Sequence, residues 1–164
     1  MLSYLEDITV RLAQGINRLP EATRARHAEF LKSRQRDDGG FGGREGASDL
    51  YYTGFALRGL GMTGELHGPL AERAAAFLRT RLAGSAPIVD FLSLVYGGML
   101  LEMSAGIDIF AASHPDWRTQ VSTALERFRR PDGGYAKTDE GQSSSTYHTF
   151  LVVIYNQHNS RPVE

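Results

Sequence analysis

The chain has 164 residues, with 18 Lys and Arg against 19 Asp and Glu, for a net charge of −1. That balance gives no bulk electrostatic pull toward nucleic acid or an anionic membrane, and the length suffices for one domain with a sizeable core. A composition of 41% hydrophobic and 23% charged residues is that of a soluble globular chain. The absence of cysteine excludes disulfides and thiolate metal ligands, and fits a reducing, cytoplasmic setting.

The first stretch, MLSYLEDITVRLAQG, carries Glu6 and Asp7 early and lacks a long apolar core, so it does not read as a signal peptide. Residues 4–19 place Leu5, Ile8, Val10, Leu12 and Ile16 on a broad helical stripe. Pro20 suits a first-turn position of the next helix, with Glu21 favouring its dipole. Residues 21–34 are amphipathic. So are 69–83 and 115–130, each starting at a proline and ending rich in arginine.

Three segments of another kind lie between. Residues 49–61 carry only Asp49 and Arg58, residues 88–103 only Asp90 and Glu102, and residues 144–156 no Asp, Glu, Lys or Arg. A nearly uncharged helix is covered all round. Buried parallel strands also read as apolar runs, but the run lengths, the Gly97-Gly98 pair and the lack of hairpin turns favour helices. No run of 18 apolar residues occurs, so no membrane span is expected. The expectation is an all-α chain of roughly seven helices. Residues 1–156 form one domain, and 157–164 are a polar tail.

The polar loops also repeat. Gly39-Gly40-Phe41 and Gly133-Gly134-Tyr135 each lead from an amphipathic helix into an apolar one. Glycine pairs allow positive φ and close backbone approach, and the aromatic residue plugs between hairpins. A middle unit, 69–103, keeps the helix pattern without the loop signature. Three hairpins with a leading helix form a repeat array.

The spacing Gln35, Gly39, Phe41 resembles the repeat of squalene cyclases and protein prenyltransferase β-subunits. DGGFGGR followed by SDLYYT is similar to the prenyltransferase loop that reads Gly-Gly-Phe-x-Gly-Arg, then Asp-x-Cys-Tyr. PDGGYAK followed by TYHT resembles that family's later loop, which ends in Tyr-His-Thr. The resemblance implies an α/α toroid, of which this chain supplies about half, with inner helices around an apolar cavity for an isoprenoid diphosphate. It implies that Arg44 and Tyr52 contact the diphosphate, that Tyr147 lines the cavity, and that Asp49 and His148 occupy zinc-ligand positions. Tyr51 stands where the zinc-binding cysteine belongs, the family's loop lysine has no counterpart, and the cyclase Asp-x-Asp-Asp acid is missing. A neutral phenol is a poor zinc ligand, so no tightly bound cofactor is expected.

Each of these residues also has a plain structural reading. Asp49 after Ser48 suits a helix N-terminus. His148 suits a hydrogen-bonded core position, and Arg44 a solvated or carboxylate-paired one. Tyr51, Tyr52, Tyr96 and Tyr147 line or fill the core, with hydroxyls that need partners. His27, His67, His114 and His158 show no ligand spacing, and no dinucleotide fingerprint occurs. Two readings of function stay open. One is a transferase-type enzyme handling a prenyl diphosphate. The other is a non-catalytic binding or scaffold module, or one half of a larger toroid. Because three hairpins cannot close a ring of about six, a homodimer or a second half-toroid is the expected partner.

Overall fold

The computed structural model describes residues 4–82, 87–111 and 117–159. Among these the chain is all-helical, in the order α1 (Tyr4–Asn17), α2 (Glu21–Lys32), α3 (Leu50–Thr63), α4 (Gly68–Arg79), α5 (Ile88–Ala105), α6 (Trp117–Glu126) and α7 (Thr146–Asn159). Extended pairing is confined to isolated bridges joining Phe41 to Asp49 and Tyr135 to Arg129 and Ser145. Local chemistry sets several boundaries. Asp49 caps α3 by accepting the Tyr52 N–H at 2.7 Å. Gly64 and Gly106 end α3 and α5 in the left-handed conformation, at φ 78° and 68°. Pro20 precedes the first turn of α2 instead of entering it, with Glu21 as the first-turn acid. Helix α6 stops at Glu126, so the arginines at 127, 129 and 130 lie in the turn beyond it. Helix α7 continues to Asn159, past the boundary at 157 that composition suggested. Pro115, His114 and the end of the tail lie outside the described residues, as does the side chain of His158.

Each amphipathic helix packs on the apolar helix that follows it: α2 on α3, α4 on α5, α6 on α7. Helix α5 lies between α3 and α7, and its pairing with α3 is the most extensive. Small residues make that pairing close. A Cβ added at Gly54 would lie 3.4 Å from Ser93. One at Gly97 would lie 3.3 Å from Leu57, and one at Gly61 3.6 Å from Ser104. These partners ascend together along both helices, so α3 and α5 run parallel. Leu57, Leu60, Leu78, Leu92, Leu101 and Tyr155 are buried at their junctions, and each such side chain contributes about 1.5–3 kcal/mol of transfer free energy.

Three observations depart from the sequence pattern. First, the inner helices are not covered all round: Tyr51, Tyr52, Phe55, Tyr147, Phe150 and Val153 are 39–56% exposed. No described element packs over that side of α3 and α7 beyond what α1 covers. Second, α1 packs on α3 and α7 together. It therefore lies on the inner helices and bridges them across α5. Third, α5 is long and apolar enough, by length and composition, to cross a membrane, because Asp90 and Glu102 at its two ends are its only charges. In this fold its apolar surface packs against α3, α4 and α7.

Candidate functional site

Two loops built to one plan precede α3 and α7. In the first, the Arg36 N–H donates to Gly40 O at 2.9 Å and the Gly39 N–H to Arg36 O at 2.9 Å. In the second, Arg130 and Gly134 are 2.8 Å apart, and Gly133 and Arg130 2.9 Å. Gly39 and Gly133 share φ 85°, a conformation that costs any other L-residue energy. Asp38 accepts the Gly40 N–H at 3.0 Å and the Ser48 hydroxyl at 2.8 Å. Asp132 does the same with Gly134 and Ser144, at 3.0 and 2.6 Å. These bonds hold the Asp132 carboxyl below its usual range, the serine bond first and the glycine amide second. Thr53 and Thr149 accept the amides of Phe41 and Tyr135 at 3.0 and 2.9 Å. Arg36 donates to Gly43 O and Gly46 O, and Arg130 to Thr138 O, Asp139 O and Gly141 O, so each guanidinium ties its own loop together. The shared Arg-x-Asp-Gly-Gly-aromatic string carried this signal, of which the glycines and the aromatic alone were read from the sequence.

These loops bring the first turns of the three inner helices to one end of the molecule. The Ile88 N–H, at the start of α5, donates to Lys137 O at 3.1 Å, tying the last loop to the middle helix. Asp90 is raised above the usual carboxylate range, first by burial and then by the nearby Asp49 charge, against the opposing pull of Lys137. His148 is lowered, first by burial and then by Lys137. The His148 N–H donates to Ser145 Oγ at 3.2 Å, and His148 Nδ1 lies 2.7 Å from the same oxygen. Whichever ring nitrogen carries the proton, the Ser145 hydroxyl, which can donate or accept, is paired with Nδ1.

Below this end runs an apolar cleft of about 270 Å³. Helix α3 lines it with Tyr51, Phe55 and Arg58, α5 with Leu92 and Tyr96, α7 with Tyr147 and Phe150, and α1 with Ile8. Residues spaced three, four and seven apart give each inner helix one continuous lining face. Tyr51 meets Phe55 edge-on, with ring centres 4.9 Å apart. Among the described residues Arg58 is the only charged one on the lining.

The expected site residues divide between two clefts. Tyr51 and Tyr147 line the one just described. Arg44 and Tyr52 line a second, of about 500 Å³, on the α2 side of α3, and Phe55 borders both. Arg44 and Tyr147 therefore do not share a cleft. Arg44 is exposed and makes no hydrogen bond or ion pair with a described residue. Asp49 serves as the α3 cap and His148 is held by Ser145. Among the described residues no three His, Asp or Glu stand close enough to hold a metal ion. The donor set there does not fit a zinc site of the kind the resemblance implied.

Comparison with known proteins gives no matching family model, no matching curated protein and no matching solved structure. Sequence reasoning missed two features of the site. Arg58 had stood out only as one of the two charges of its segment, and the signal for its place was the seven-residue spacing from Tyr51. The contribution of α1 to the cleft wall left no signal in composition.

Proposed function

We propose that this protein is a prenyltransferase- and cyclase-like helical repeat domain whose inner cleft binds an isoprenoid-type apolar chain. The observation that carries this reading is the aromatic lining: Tyr51, Phe55, Tyr96, Tyr147 and Phe150 from three neighbouring helices along one cleft. Such walls bind apolar chains by burial, and their π faces favour cationic character in a bound group. The diphosphate positions of the resemblance, Arg44 and Tyr52, lie across Phe55 from the cleft, so a prenyl diphosphate would pass over that ring to use both. Binding is therefore the reading supported, ahead of zinc-dependent transfer. Thermal-shift and native mass-spectrometric titration with farnesyl and geranylgeranyl diphosphate tests it. The expected result is a stabilised complex, with affinity reduced tenfold or more by Phe55→Asp. No binding of either ligand, or of farnesol, ends the reading.

A second reading, compatible with the first, is favoured by Gly133. A Cβ there would meet no described atom within 4 Å, whereas at Gly39 it would lie 2.1 Å from the Arg73 carbonyl of α4. The last hairpin thus has room for one more helix. A second copy of this chain would fill it and cover the exposed aromatic residues. Light scattering tests this. A stable monomer of 18.1 kDa that binds no hydrophobic dye rules it out.

A further inference from the structure

Arg58 and Tyr96 both line the cleft, and neither has a hydrogen-bond partner among the described residues. The Tyr96 hydroxyl is out of solvent and makes no hydrogen bond. Burial is the main cause that pushes its pKa up, so it stays a protonated donor. Arg58 lies close enough to oppose that rise. It is half-buried and has no hydrogen bond or ion pair with a described residue. The guanidinium makes no bond to the phenol oxygen, and because it has only donors it could not in any case take up the phenol's proton, which still needs an acceptor. Two donors facing one apolar cleft define the place of an acceptor. Ser93, the other hydroxyl on the lining near them, is already committed to Val89 O at 2.8 Å.

We infer that this part of the cleft binds the carboxylate of an apolar monocarboxylic ligand. One carboxylate oxygen takes the Arg58 guanidinium and the other the Tyr96 hydroxyl. The apolar body runs past Phe55 toward Tyr51 and Tyr147. A single cation with no partner among the described residues matches a single negative charge, and a diphosphate would leave further charge uncompensated in an apolar site. From Arg58 to Tyr51 is seven residues, or about 10 Å along α3, so the site suits a chain of medium length. The inference rests on the proposed function only in that the cleft accepts a ligand. It does not depend on an isoprenoid.

Octanoate and octanol share a chain and differ in head group. Calorimetric titration of the unmodified protein is expected to show octanoate binding tenfold or more tighter than octanol. Arg58→Met should bring octanoate down to the octanol level. Tyr96→Phe should weaken octanoate severalfold and leave octanol unchanged. Circular dichroism confirms that each variant is folded, and the comparison in the parent needs no variant. Equal binding of octanoate and octanol by the parent overturns the inference, as does an unchanged preference in folded Arg58→Met. Failure of both probes overturns it as well. If farnesyl diphosphate binds in either case, the proposed function survives alone.

Discussion

The loop of residues 35–53 and the loop of residues 129–149 share their hydrogen bonds and differ in their surroundings. The first lies under α4. Gln35 Nε2 donates to Gly39 O and to Leu70 O, both at 2.9 Å, and Gly40 approaches the Phe77 ring. The second borders an open hollow of about 560 Å³ lined by Gly133, Thr149, Phe150 and Val153. One local design thus serves as an internal joint in one place and, among the described residues, borders an open hollow in the other. The internal bonds of the loop suffice to set its shape, because the shape is the same with and without the neighbouring helix. The neighbour adds stability and adds intolerance to change.

The widest separation is expected between Gly39→Ala and Gly133→Ala. Both introduce a Cβ at φ 85°, which costs about 1–2 kcal/mol. At Gly39 the new atom also strikes the Arg73 carbonyl, so the total rises to roughly 3 kcal/mol or more. Denaturant titration of the pair checks this, and equal losses would mean that α4 does not seat on the loop. Next in size is Thr53→Val, which leaves the buried Phe41 N–H without its acceptor and costs about 1–3 kcal/mol. Thr149→Val, at a part-exposed site where water can replace the hydroxyl, should cost under about 1 kcal/mol.

Gln35→Ala removes the link to Leu70 and should cost about 1 kcal/mol. At the corresponding residue of the last loop, Arg129, the side chain's only bond among the described residues is a surface pair with Glu126 at 3.3 Å. Arg129→Ala should stay within about 0.5 kcal/mol, and a larger loss there than at Gln35 would reverse the contrast. The smallest effect concerns pH. His148 stands where the first loop has Tyr52, so only the last loop titrates near neutrality. Its folded pKa lies below the unfolded value of about 6.5, so the unfolded chain binds the extra proton. The stabilisation is complete above that value and is lost as pH falls through the folded pKa. His148→Gln should flatten this part of the stability profile. An NMR titration of His148 at or above 6.5 would contradict it.

The helices were legible because charge is distributed so unevenly: the segments around Leu57, Val95 and Val152 are almost uncharged, and their neighbours are densely charged. The equivalence of the two loops was legible in the glycines and the following aromatic. The arrangement across the cleft was not. Tyr51 and Tyr52 are adjacent in the chain, yet a helix turns them about 100° apart, enough to send them into separate clefts. Asp49 resembles a metal ligand in a motif, while its carboxylate is engaged at the α3 N-terminus. Tyr96 is an ordinary core aromatic in sequence, and only the packing around its hydroxyl reveals that it lacks a partner among the described residues.

The bridge that α1 makes from α3 to α7 bears on how the chain folds. A stack of hairpins joined only to nearest neighbours can fray from either end, and its stability adds up unit by unit. Here the first helix touches the last, so the array is a circuit. Melting of α7 removes support from α1, and loss of α1 exposes α3 at the opposite end. That contact spans almost the whole chain, forms only after the last helix has been made, and carries the largest loop-closure entropy in the molecule. The packing of α1 on α7 thereby couples the two ends of the described helices.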